Sequence, residues 1–82
     1  MSEERPPVSD TLNVLDHKKL FKTQKWWSET VFLDSFGRKQ VAVYLWQNRN
    51  GQWKRKQKFV IRNKDHWEQV KESIDQFIDK LT

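Results

Sequence analysis

From residue 26 to residue 62 apolar side chains recur at a period near two, and from residue 64 onward the period lengthens to that of a helix. The stretch KWWSETVFLD is rich in aromatic and β-branched residues, SFGRK supplies a turn around Gly37, and QVAVYLWQ forms a second extended run. NRNG then turns the chain into WKRKQKFVIR, a hairpin partner dense in lysine. Asn63 stands at an N-cap position, Asp65 falls in the first turn, and Trp67, Val70, Ile74, Phe77, Ile78 and Leu81 recur as one stripe. This predicts a helix over residues 64 to 81 whose stripe packs on the sheet, with Glu68, Glu72, Asp75 and Asp79 turned outward. Residues 1 to 17 read as a flexible arm ahead of a domain over 18 to 82, and TLNVLDHKKL at their junction suits either a short helix or a leading strand.

The length of the NRNG turn decides which side chains share a face. A two-residue turn at Asn50 and Gly51 pairs Val43 with Lys58 and Leu45 with Lys56, which mixes apolar and charged residues on one side. A three-residue loop of Arg49, Asn50 and Gly51 aligns Val41 with Phe59, Val43 with Gln57 and Leu45 with Arg55. Its other side then carries Ala42 with Lys58, Tyr44 with Lys56 and Trp46 with Lys54. The second register separates an aliphatic side from an aromatic-cationic side and is the one preferred. A helix on the aliphatic side leaves Tyr44, Trp46 and the lysines open.

Composition narrows the range of functions. A chain of 82 residues supports one domain and buries roughly 60% of its unfolded surface, so self-association is a reasonable way to complete its core. There is no cysteine for a disulfide or a thiolate metal site, and the segment MSEERPPVSD has no apolar run of a signal peptide or membrane span, so an intracellular protein with no membrane partner is expected. The net charge of +5 is uneven. Residues 1 to 23 balance to zero, residues 24 to 64 hold ten cations against Glu29 and Asp34, and residues 65 to 82 are net negative. That middle segment is the footprint of a polyanion-binding surface, although the same lysines also solubilise a tryptophan-rich sheet.

Nothing in the sequence assembles a catalytic centre. His17 and His66 lie far apart with no carboxylate pair at ligand spacing, both glycines are explained by turns, and no phosphate loop or nucleophile motif is present. No enzyme activity, metal or cofactor is expected. Aromatic faces alternating with lysines suit unpaired bases, which stack at about 1 to 3 kcal/mol each while cations follow the phosphates. The alternative is a protein-interaction or structural module that offers the same tryptophans to a protein partner.

The order of SFGRK, then WQNRNG leading into a basic strand, then NKDHWEQVKESI opening a terminal helix, resembles the C-terminal domain of the transcriptional coactivator positive cofactor four, of the whirly-like single-stranded DNA-binding family. The resemblance spans about residues 20 to 81. It implies an α+β fold in which a curved, four-stranded antiparallel sheet precedes one helix, two chains joined through their helices, and sheets that bind single-stranded or unwound DNA in the service of the transcription machinery. It places Phe36 and Trp46 at base-stacking positions and Lys39, Lys58 and Lys25 at basic ones. The pair Trp26 and Trp27 has no counterpart in that pattern. The candidate nucleic-acid contacts are therefore Lys25, Phe36, Arg38, Lys39, Tyr44, Trp46, Lys54, Lys56 and Lys58, with single-stranded DNA or RNA as the partner. The candidate homodimer contacts are Ile74, Phe77, Ile78 and Leu81.

Overall fold

The computed structural model describes residues 4 to 81. Four strands, β1 (Asn13–Lys22), β2 (Trp26–Ser35), β3 (Arg38–Arg49) and β4 (Gln52–Ile61), are followed by one helix, α1 (Lys64–Ile78). The strands form a single antiparallel sheet in sequence order, curved and not closed, so the expected ββββα architecture is present. The first strand begins at Asn13, five residues ahead of the expected domain start at Lys18, and Pro6 and Val8 within the expected arm are buried. Between the two options for residues 11 to 20, the strand prevails because His17 and its neighbours find partners along β2, from Asn13 opposite Asp34 to Lys22 opposite Trp27.

Two tight turns set the hairpins. Ser35 pairs with Arg38 and Arg49 with Gln52, which leaves Phe36–Gly37 and Asn50–Gly51 as two-residue connections. All four residues have positive φ, 53° and 82° in the first turn and 55° and 83° in the second, the backbone whose twist matches that of the flanking strands. Asp34 and Asn48 each accept the glycine N–H through a side-chain oxygen at 3.0 Å and fix the turns from the preceding strand.

Neither uniform register for the last hairpin holds. The turn is the two-residue one, so Trp46 lies opposite Arg55 and Gln47 opposite Lys54. An extra residue, Lys56, then bulges β4, and beyond it Leu45 pairs with Gln57, Tyr44 with Lys58 and Val43 with Phe59. The bulge restores beyond Tyr44 the separation of faces that a uniform two-residue register would have destroyed. Bulges in β1 at Leu15 and Leu20 add to the sheet's twist and curvature.

The helix opens as the sequence predicts, with the Asn63 side chain accepting the His66 N–H at 2.8 Å. It ends at Ile78 rather than Leu81. Its last turn holds no basic residue, and Asp75 and the C-cap Asp79 place negative charge at the negative end of the helix dipole. No residue of α1 is buried, and its closest approach to the sheet is to β4, where the His66 ring meets Phe59 edge-on at 5.8 Å.

Candidate nucleic-acid interface

Tyr44 and Trp46, expected to stand open, are 2% and 1% exposed and form the centre of the core. The face they occupy also carries Trp27, Glu29, Val31 and Leu33 from β2 and Ala42 from β3, because these residues pair across the sheet or stand two apart along a strand. Tyr44 and Trp46 stack with centroids 5.0 Å apart and planes 4° apart, Trp27 tilts against Trp46 at 5.6 Å, and Trp53 meets Trp27 edge-on at 5.4 Å. Such contacts add about 0.5 to 1.5 kcal/mol each beyond the area they bury.

The cover comes from the chain's own beginning. Val8 is part of the cluster and Leu12 packs against it. A cavity of about 340 Å³ remains between Pro7, Val8, Ser9 and Leu12 on one side and Tyr44, Trp46 and Arg55 on the other. The helix, which was expected to cover one face and leave this one free, covers neither. A partner patch built on the same tryptophans likewise finds Trp27 and Trp46 in the core rather than at the surface.

A polar element missed by sequence reasoning runs through this core. Glu29 is fully buried, its Oε2 accepting the Trp27 indole N–H at 2.7 Å and its Oε1 lying 2.7 Å from His17 Nδ1. These contacts answer the cost of placing a carboxyl group inside an aromatic cluster. The His17–Glu29 pairing spans β1 and β2, so the sequence distance of twelve residues carried no signal until the register was known.

The predicted cations separate by register. Lys58 places its Nζ 5.3 Å from the Tyr44 ring centre, a cation over an aromatic face. Lys54, expected beside Trp46, pairs with Gln47 and stands on the other face, while Arg55 takes the place opposite Trp46. Lys56 is the bulge residue. Lys25 is exposed in the β1–β2 connection, and its carbonyl accepts the Asn48 N–H at 2.8 Å, which holds it at the Trp46 end of the sheet. Lys22, not among the expected contacts, lies 4.0 Å from the Trp27 ring centre and 5.6 Å from that of Trp53. It also donates a hydrogen bond at 2.6 Å to Glu4, and that bond holds the Glu4 carboxyl below its ordinary range.

Arg38 opens β3 at its opposite end, about 26 Å from Trp46 for eight residues of strand, with Lys39 next to it and Phe36 in the turn just before. Phe36 is 100% exposed, and its φ of 53° is one that a bulky residue adopts at a cost of about 1 to 2 kcal/mol. Arg38 and Lys39 follow it, both exposed.

The other face of the sheet is the open one. Phe21, Phe32 and Phe59 are 38 to 48% exposed, with Val41, Val43, Leu45 and Ile61 half-buried between them. A groove of about 610 Å³ lies between this face and the start of α1, lined by Phe32, Val41, Val43, Ile61 and Trp67 together with Lys39, Arg62 and Lys64. The helix stripe is exposed as well, Ile74 at 48%, Phe77 at 58%, Ile78 at 46% and Leu81 at 73%. Among the described residues no group of three His, Cys, Asp or Glu is arranged to hold a metal ion, and no helix is long and apolar enough to cross a membrane. The chain matches no protein-family model, no curated protein and no solved structure.

Proposed function

We propose that this chain is a non-enzymatic protein that binds single-stranded DNA or RNA with little sequence specificity, as a homodimer, in transcription or in the protection of exposed strands. Phe36 carries the reading. A phenylalanine with no contact in its own fold, held in a strained backbone and followed by Arg38 and Lys39, contributes nothing to stability, and residues held at such a cost cluster at binding sites. Its free ring suits an unpaired base and the adjacent cations suit the phosphates. Arg55 and Lys58 on one face of β4 and Lys54 on the other, all exposed, add further positive charge at the Trp46 end of the sheet. A duplex reader needs a helix that fits a groove, whereas α1 exposes Glu68, Glu72, Asp75 and Asp79. The likeness of the turn and helix motifs to the positive cofactor four domain supports the same ligand, and extends the proposal to the transcription machinery as a further partner.

Dimer formation follows from the uncovered apolar surfaces. The stripe of Ile74, Phe77, Ile78 and Leu81 and the groove beside Trp67 are too extensive for a small soluble domain to leave open. A second copy covers both through the helices, and Asp75 and Asp79 beside the stripe are opposite in sign to Lys39, Arg62 and Lys64 at the groove.

Titration of matched single-stranded DNA, duplex DNA and RNA tests the ligand. The expected result is tighter binding of single strands, with a log-log salt slope of about −3 to −4 for four to six neutralised phosphates. Phe36→Ala weakens that binding by about 1 to 3 kcal/mol and leaves the fold intact. Equal affinity for duplex, or affinity independent of salt, overturns the reading.

A further inference from the structure

We propose that residues 4 to 12 form a strap that occupies a second, aromatic nucleic-acid site as a pseudo-ligand, and that a single strand must displace this strap before bases reach Tyr44 and Trp46. The inference rests on the single-strand reading and adds a regulated site to it.

The strap has the chemistry of the ligand it would exclude. Its Glu4 carboxylate sits on Lys22, a cation poised over Trp27 and Trp53, where a phosphate would find the same charge and the same rings. Its Pro6, Val8 and Leu12 fill apolar space against the aromatic cluster, where a base would stack. Arg55, opposite Trp46, and Lys58, over Tyr44, supply two further cations along the same face. Little of this site is built for the strap itself. Among the described residues the buried Tyr44 hydroxyl has no hydrogen-bond partner, although Tyr44 lines the cavity under the strap. A donor or acceptor on a base edge would supply one.

The strap is also fastened in a way that lets it leave. Its backbone hydrogen bonds, Val8 N–H to the Pro6 carbonyl at 2.8 Å and Leu12 N–H to the Ser9 carbonyl at 3.0 Å, close on the strap itself. Ser9 and Thr11 likewise bond to each other. Among the described residues the Glu4–Lys22 pair is its one polar tie to the sheet. Departure therefore breaks no strand ladder. It exposes apolar surface that a stacked base covers again, and the apparent affinity is the intrinsic one reduced by the fraction of chains whose strap is open.

The full chain tests this directly, because it has no cysteine and a single one can be introduced. Ser9→Cys, labelled with bimane, places a tryptophan-quenched fluorophore in the cavity beside Trp46. Its emission should rise when an oligothymidylate of about 16 nucleotides is added. Glu4→Gln takes the negative charge from the tie without touching the core and should tighten binding of that oligonucleotide about two- to fivefold. Val8→Ser, which loosens the apolar contact, should tighten it about tenfold provided the sheet stays folded. If the oligonucleotide binds while bimane emission and the Glu4→Gln affinity stay unchanged, the strap inference is overturned and the single-strand reading stands. If neither the unmodified chain nor Glu4→Gln binds it, both fail.

Discussion

On one face of the sheet Trp27, Val31, Leu33, Ala42, Tyr44 and Trp46 are at most 2% exposed, while on the other Phe21, Phe32 and Phe59 are 38 to 48% exposed. Both faces are rich in large apolar side chains, so hydrophobicity does not explain the difference. Cover does. The first face receives a strap from the same chain and four mutually packed aromatics, and the second faces a helix that leaves β4 after its first turn. The lesson is that a sheet this small completes one core from within, and its second face stays largely uncovered by its own chain.

The largest expected effect separates the faces along a single strand. Trp46→Ala removes the centre of the core and should cost about 3 to 5 kcal/mol in denaturant unfolding. Leu45→Ala, its half-buried neighbour on the opposite side, should cost under about 2 kcal/mol. Equal costs would mean that both faces are core. Next in size is Glu29→Ala, which leaves the Trp27 indole N–H buried without the carboxylate that accepts it and removes the Glu29 contact to His17 Nδ1. A loss of about 1 to 3 kcal/mol is expected, against no measurable loss for alanine at the exposed Glu72 in mid-helix.

Gly51→Ala bears on both faces alike, since the turn sets the register of the whole hairpin. An added Cβ meets nothing within 4 Å, so the expected cost of about 1 to 2 kcal/mol comes from the φ of 83° alone. Phe77→Glu should leave the spectrum of the folded chain unchanged, because Phe77 is 58% exposed, and shift the mass seen by light scattering from about twice the 10.1 kDa chain mass to that of one chain. Unfolding of this variant at every concentration would put the helix stripe in the core and erase the contrast between the faces.

The smallest effect is one of pH. The Glu4 carboxyl is lowered from 4.5 in the folded chain by its hydrogen bond from Lys22. Its contribution is therefore present above the unfolded value and lost as pH falls through the lower, folded one. Bimane at Ser9→Cys should brighten on acidification below about pH 4.5, and Glu4→Gln should remove that step.

Much of this protein was legible as local chemistry. Alternation in β2 and β3, glycines at the two positive-φ turns and the Asn63 cap each depend on a few adjacent residues, so these strands, the turn positions and the helix start could be read directly, whereas β1 stayed open between helix and strand and the length of the last turn was misread. The apolar stripe of the helix was legible too, but not its partner, because amphipathicity states that a face must be covered and not by what. The two-residue length of the last turn, against the three-residue loop preferred from the sequence, put Arg55 in place of Lys54 opposite Trp46, and the bulge at Lys56 beyond that pair was invisible. One extra residue in a strand leaves no compositional trace, yet it reverses the face of every side chain beyond it.

The sequence by itself determined the order of the elements from β2 onward, the basic middle segment, the turn at Gly37 and the existence of two unlike faces. Only the tertiary structure decided which of those faces is the core. The strap reaches Tyr44 and Trp46 across more than thirty positions of chain, and Glu29 meets His17 only once β1 is in register. Contacts of that kind are set by where curvature and bulges bring distant segments together, a property of the assembled sheet that no window of neighbouring residues contains.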